Sequence, residues 1–243
     1  MIKETLFIPK SICLVRLSAL GDVLMFVPLI RTLQRYFPAT KLTWIISPPA
    51  YDLVAGMDGV EFIVLEKPRT LGDYWRFKKR MQGYSFDVLL AAQACYRANF
   101  LYPWINAQRK IGYDRFRAKD LHWLFVDEAI APGFDHTLET FLKFAQAIGI
   151  NDTDLRWDLP ISALDYQWAK DNLAGHLAAD GSPMNRRPIL IINPAASKPE
   201  RSWFAERYIQ VIKEVESQWG MHVVLTGGPA AHDRELADKI LKQ

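Results

Sequence analysis

The chain is poor in cysteine. Cys13 and Cys95 are its only cysteines. They lie far apart, and neither belongs to a CxxC pair or a Cys/His spacing that could hold zinc, so no disulfide framework or structural zinc site underlies the fold. Both read as packed core thiols. The histidines, His122, His136, His176, His222 and His232, are scattered singly and suggest no metal-ligand cluster. The GxGxxG fingerprint is missing, which removes the main support for a dehydrogenase. Long apolar runs are missing too. The longest apolar region, Ser11 to Ile30, is interrupted by Arg16 and Asp22, and either charge at mid-bilayer would cost about 2.5–3.5 kcal/mol. These interruptions, and the lack of a clean small-residue cleavage site after Lys3 and Lys10, argue against a secretory leader. The expectation is a cytoplasmic protein. Net charge is only +3, too little by itself to imply a polyanionic partner.

What remains is ordinary for a folded protein. Of 243 residues, 50% are hydrophobic and 23% charged, enough for a sizeable core in one large domain or two small ones. Apolar runs and breakers predict strands at Ile12–Leu17, Leu42–Ile46, Phe62–Leu65 and Val88–Ala91. Helices are predicted between them at Val23–Phe37, Tyr51–Gly56 and Leu71–Met81, and a further amphipathic helix at His136–Ile148. Alternating strands and helices imply a largely parallel sheet. After an exposed connection and a helix predicted at Ala163–Ala178, the polar stretch AADGSPMNRRP reads as a linker. A second α/β unit follows: strand Ile189–Asn193, helix Trp203–Gln218, strand His222–Leu225, a Gly227-Gly228-Pro229 turn and a helix from about His232. The domains expected are 1–160 and 188–243, joined by a connecting helix and linker at 161–187.

Two strand-to-helix junctions carry the chemistry. In the first, ICLVRLSALGDVLMFVPLIRTLQRYFP, Gly21 and Asp22 fall at the carboxyl end of the first strand, the edge where such sheets bind ligands. Asp22 suits a general base, and from spacing alone it suits a helix N-cap better. Gly21 would allow a tight turn and close ligand approach. Pro28, inside the predicted helix, would leave a carbonyl without its donor. In the second junction, PILIINPAASKPERSWFAERYIQVIKEV, Ser197 and Arg201 would aim main-chain donors and a cation at one point, suiting a diphosphate. The plainer reading of Arg201 is a solvated first-turn residue. Gly227 and Gly228 most simply make a turn. Between the junctions, Arg97, Arg109, Lys110, Arg115, Arg117 and Lys119 are interleaved with aromatics. That pattern fits a phosphorylated glycolipid, a membrane surface, single-stranded nucleic acid or a plain solvated surface.

Together the two junctions resemble those of the lipopolysaccharide heptosyltransferase family, glycosyltransferases that use ADP-heptose. The first matches through Arg16, Leu17, Gly21, Asp22, Pro28, Leu33 and Pro38, and the second through Pro194, Ser197, Arg201, Trp203, Glu206 and Arg207. Ala195 and Phe204 stand where the family commonly has glycine and proline. The resemblance implies a GT-B-type fold of two Rossmann-like α/β domains facing a cleft. It reverses the preference at Asp22, which becomes the base of an inverting transfer of heptose to the lipopolysaccharide inner core.

The resemblance further places the acceptor on the N-terminal domain, with Gly21, Arg97, Arg115 and Arg117 as its contacts. The donor falls to Ser197, Arg201, Gly227, Gly228 and Asp233 of the second domain, with Glu235 the alternative to Asp233 at the ribose. It implies chemistry without a metal or other cofactor, a nucleotide-sugar donor, a phosphorylated glycolipid acceptor with peripheral contact at the inner face of the inner membrane, and no nucleic acid. The motif Asp-Ser/Thr-Gly-x-x-His that the family places near its C-terminus does not occur here. The second domain therefore reads as incomplete, and the chain alone as weakly active or inactive. The alternative is a non-catalytic nucleotide- or glycan-binding protein on the same scaffold.

Overall fold

The computed structural model describes residues 7–172, 188–196 and 198–242. Contacts divide the chain into two compact units, Met1–Pro160 and Ile161–Gln243.

In the first unit the elements run β1 (Ser11–Val15), α1 (Leu20–Tyr36), β2 (Lys41–Ile46), α2 (Pro48–Tyr51), β3 (Val60–Val64), α3 (Leu71–Arg80), β4 (Phe86–Leu90), α4 (Tyr96–Asn99), β5 (Ala107–Gly112), β6 (Glu128–Ala129) and α5 (Thr137–Gln146). All six strands pair in parallel, in the order β3-β2-β1-β4-β5-β6. β1 is central, and Ile12 to Val15 are fully buried, as expected of a parallel strand covered on both faces. Its side chains alternate: Ile12 and Leu14 join Phe26, Leu29 and Phe144 from α1 and α5, while Cys13 and Val15 join Phe77 from α3 and Leu101 and Tyr102 beyond α4. Full burial of each large apolar side chain contributes about 1.5–3 kcal/mol. Burial also pushes the Cys13 thiol far above its ordinary range, in keeping with a core role.

Three expectations need correction. The first helix begins at Leu20 rather than Val23, with Ala19 as its N-cap, so Asp22 occupies the third helical position and is not itself the cap. The helix expected at Tyr51–Gly56 forms instead at Pro48–Tyr51, because Pro48 and Pro49 are pre-set for a first turn. Finally, β5 and β6 were not foreseen. Arg109 and Lys110 mask β5 in the sequence, yet Arg109 makes two hydrogen bonds of 2.7 Å to Glu128 on β6, and the Lys110 amine reaches the Tyr102 carbonyl at 3.2 Å.

Pro28 does sit inside α1, buried. Having no N–H, it cannot satisfy the Leu24 carbonyl. The Trp157 indole N–H donates to that carbonyl instead, at 2.8 Å. Trp157→Phe should keep most of the apolar contact and lose this bond, destabilising the first unit by about 1 kcal/mol. Unchanged urea midpoints would show that water replaces the indole.

The second unit comprises α6 (Ala163–Asn172), β7 (Ile189–Ile192), α7 (Ala205–Trp219), β8 (His222–Leu225) and α8 (Ala231–Leu241). β7 and β8 form a parallel pair, and Ala205, Ile209 and Ile240 make a small core. The part of the helix expected beyond Asn172 lies outside the described residues.

Candidate functional site

The strand order reverses direction at β1. From there the chain proceeds through β2 and β3 to one side, then returns to place β4, β5 and β6 on the other. In a parallel sheet such a switch point leaves a crevice between two carboxyl strand ends, where ligands bind. Here those ends are β1, followed by Arg16 to Asp22, and β4, followed by Ala91 to Cys95.

Main chain and side chains tie the two ends together. The Leu17 N–H donates to Gln93 Oε1 at 2.6 Å, and the buried Tyr102 hydroxyl donates to the Gln93 carbonyl at 2.6 Å. Across the same gap, Arg16 Nη1 donates to the Ala92 carbonyl at 2.9 Å. That carbonyl also accepts from the Tyr113 hydroxyl at 3.0 Å. Burial pushes the Tyr113 phenol up to about 12, so it remains a donor at neutral pH.

Arg16 is the residue to which the sequence reading gave no role. Its side chain is only 12% exposed, and Nη2 forms an ion pair with Asp22 Oδ2. Its guanidinium also lies 5.2 Å from the Phe141 ring centroid. Asp22 Oδ2 additionally accepts from the Ala19 N–H at 3.1 Å. One carboxylate oxygen is thus fixed by a cation and a main-chain donor. The other, Oδ1, has no hydrogen-bond partner among the described residues, and the side chain remains 36% exposed. The chemical capacity of this arrangement is clear: an oriented carboxylate with one open acceptor oxygen at the ligand edge. The signal for Arg16 in the sequence is a charge immediately after four buried apolar residues of a central strand.

The other first-unit candidates divide by environment. Gly21 lies exposed in the first turn of α1, and a Cβ built there would meet nothing within 4 Å; the chain itself makes no demand for glycine at that point. Arg97, on α4, is exposed, and exposed Arg115 stacks 5.0 Å from the Trp123 ring centroid. Arg117 is committed internally: it pairs with Asp114, lies 3.7 Å from Asp135, and donates to Thr140 Oγ1 at 3.1 Å and to the Ala131 carbonyl. It braces the loop, and its donors are engaged within the unit.

In the second unit, Ser197 lies outside the described residues. Arg201 is exposed at the end of a short 3-10 turn, Pro199–Arg201. The Gly227-Gly228 turn follows β8, and Asp233 Oδ2 accepts from the Gly228 N–H at 2.7 Å. A Cβ on Gly228 would come within 2.8 Å of the same oxygen, which accounts for glycine there. Asp233 Oδ1 lies 2.9 Å from His232 Nε2. That nitrogen is hydrogen-bonded to the Ala196 carbonyl at 2.9 Å, so only Oδ2 is committed to the turn and Oδ1 keeps its acceptor capacity, while Glu235 lines an open cavity of about 510 Å³ with Glu200, Trp203, Phe204 and Lys239. No group of three or more His, Cys, Asp or Glu side chains suited to a metal occurs among the described residues.

A carboxylate held at the switch point of a parallel sheet defines an α/β ligand-binding unit of the Rossmann-like class. The comparisons make the assignment specific. The sequence model of glycosyltransferase family 9 (heptosyltransferase) matches residues 74–243, and the chain belongs to that family. It is 33% identical over 233 residues to the lipopolysaccharide core heptosyltransferase OpsX of Haemophilus influenzae, covering 96% of this chain and 64% of that protein. It is 26% identical over 242 residues to lipopolysaccharide heptosyltransferase 1 of Pseudomonas aeruginosa, covering 94% of this chain and 64% of that protein. The chain thus spans about 64% of the length of the curated relatives it matches.

Among solved structures, a family 9 glycosyltransferase of Veillonella parvula superposes with a TM-score of 0.79 at 18% identity, covering 96% of this chain and 66% of that one. E. coli heptosyltransferase WaaC with ADP-2-deoxy-2-fluoro heptose gives 0.68 at 21% identity, covering 96% and 73%. These likenesses support the expected α/β fold with a parallel sheet.

Proposed function

We propose that this chain carries the base and the donor-phosphate elements of an inverting heptosyltransferase, which moves heptose from ADP-heptose to a phosphorylated glycolipid of the lipopolysaccharide inner core. The observation that carries this reading is Asp22: a carboxylate fixed through Oδ2 by Arg16 and Ala19, with Oδ1 open. An acceptor hydroxyl on Oδ1 would lose its proton to that oxygen as it attacks the anomeric carbon, while the ADP leaves from the opposite face. The first unit would hold the acceptor, with Arg97 and Arg115 as cations toward its phosphates and Gly21 giving close approach.

The second unit would hold the donor. Arg201 and the main-chain donors of the Ser197 loop and the Gly227-Gly228 turn would meet the diphosphate charge as it develops. Asp233, whose Oδ2 accepts from the Gly228 N–H while Oδ1 stays open, would bond the ribose, with Glu235 the alternative. Family membership and the resemblance to ADP-heptose-using enzymes favour this reading over a non-catalytic binding protein.

Mass spectrometry of a reaction containing ADP-heptose and a lipid-linked inner-core acceptor tests it: an added heptose mass decides for transfer over the binding protein. A separate measurement addresses the diphosphate. Arg201→Ala should weaken ADP binding by about 1.5–3 kcal/mol, the range for hydrogen bonds to charged groups, and leave acceptor affinity unchanged. Equal ADP affinity by calorimetry would leave Arg201 as a solvated residue of the turn before α7.

A further inference from the structure

The outer face of α3 has no place in the catalytic reading, and its composition is unusual for a solvated helix. Phe77 and Tyr74 point inward toward the sheet, while Leu71 is 88% exposed and Trp75 67% exposed on the opposite side. Cations surround these two apolar residues. The α3 segment carries Arg76, Lys78, Lys79 and Arg80 against a single acid, Asp73. Asp73 is occupied by the main-chain N–H groups of Arg69 and Thr70, at 2.8 and 2.7 Å, and by an ion pair with Arg76. Lys78 and Lys79 have no carboxylate partner among the described residues.

The face continues onto neighbouring elements. Lys78 Nζ stands 4.4 Å from the Trp104 ring centroid, and that ring is 40% exposed. Tyr74 donates to the Arg97 carbonyl at 3.2 Å and contacts Phe100, itself 42% exposed.

We propose that this face, centred on Trp75 and flanked by Lys78, Lys79 and Trp104, docks on a lipid bilayer rich in acidic headgroups. Exposed aromatic rings beside lysines match the chemistry of a membrane interface, where rings and an aliphatic side chain enter the headgroup boundary and ammonium groups meet lipid phosphates. Leu71 at the apex gives a stacked nucleobase nothing but suits acyl chains. The excess of positive charge disfavours a second copy of the same face as the occupant. Peripheral membrane contact is what the family resemblance implies; the new step is its assignment to this face, which rests on the surface chemistry of α3 and not on the transfer reading.

The test is co-sedimentation of the chain, without nucleotide, with vesicles of phosphatidylcholine alone and of phosphatidylcholine with phosphatidylglycerol at roughly one third of the lipid. Binding should require the acidic lipid and should weaken as salt rises. The double variant Lys78→Glu/Lys79→Glu should lose roughly tenfold or more in partitioning, and Trp75→Ser should lose about fivefold. All these side chains are exposed, so unchanged circular dichroism and thermal midpoints are expected. Free inorganic phosphate should not displace the chain from vesicles.

Absence of binding, equal binding to both vesicle types, or binding indifferent to both variants would overturn the proposal. Binding of a single-stranded oligonucleotide that the variants abolish, without vesicle binding, would overturn it in favour of nucleic acid. Because no substrate is present, failure here leaves the transfer reading untouched, and failed transfer would leave vesicle binding unexplained by it.

Discussion

In a form of the protein that transfers heptose, Asp22→Asn is expected to lower turnover by roughly 10²–10⁴-fold, the range for removal of a general base. The substitution separates charge and proton uptake from shape. The Asn carbonyl oxygen can still accept from the Ala19 N–H and from Arg16, so the first turn of α1 and the local hydrogen bonding persist. It cannot accept the acceptor's proton. From sequence alone the same substitution would be expected to leave stability nearly unchanged, because Asn replaces Asp well at an N-cap. The structure changes that expectation. Arg16 is only 12% exposed and would lose its anionic partner, so a cost of about 1–3 kcal/mol is expected, tempered by the partial exposure of Asp22. Turnover measured under saturating donor and acceptor, together with urea unfolding at neutral pH, resolves the two effects. Near wild-type turnover would remove Asp22 as the base, and an unchanged unfolding midpoint would show that Arg16 is as well placed beside a neutral amide.

The legible parts of this fold are those whose signals are local. β1 and α1 follow from an apolar strand giving way to a helical period, and β8 was located at His222–Leu225 from its apolar run and the glycines behind it. Where charge compensation is distant, the sequence is silent. β5 carries Arg109 and Lys110, whose partners Glu128 and the Tyr102 carbonyl come from other segments. The replacement donor at Leu24, the indole of Trp157, is separated from it by 133 positions. At the site the same division holds. Asp22 was recognisable because junctions at strand ends are where such chemistry sits, but its register in the helix was not, since the capping position depends on where the chain leaves β1. The constraint from Arg16 required knowing that β1 and β4 are neighbours. Arg117 looks from sequence like an available charge. Only the fold shows that its hydrogen-bonding capacity is taken up by the loop it braces.

His122 should make stability fall as the solution is acidified from neutral, well above the range in which the carboxylates protonate. It is fully buried, with Nδ1 2.8 Å from Asn99 Oδ1 and Nε2 accepting from the Tyr113 N–H at 3.2 Å. The Asn99 amide donors are used by the carbonyls of Lys119 and Asp120, at 3.1 and 2.8 Å. Its oxygen therefore accepts, and the imidazole must carry its single proton on Nδ1. A second proton, on Nε2, would confront the Tyr113 N–H in a space with no slack, since even a Cβ at Gly112 would come within 2.8 Å of the Val126 methyls. Desolvation accordingly lowers the His122 pKa to about 4.

The unfolded chain binds this proton near pH 6.5 and the folded chain does not. Acidification thus favours unfolding from about 6.5 down, and the effect levels off below about 4. The full loss is on the order of 3 kcal/mol. Asp73 and Asp154, each held near 2 by hydrogen bonds, lose their own stabilisation only as pH falls below about 4, so the two windows separate. Urea unfolding at half-unit steps from pH 7 to pH 4 should show the decline in the parent chain. In His122→Gln, which is less stable at pH 7 and carries no titrating side chain at this position, the decline should be smaller by the His122 contribution. An equal slope in both proteins would assign the pH dependence to other groups and leave His122 as packing alone.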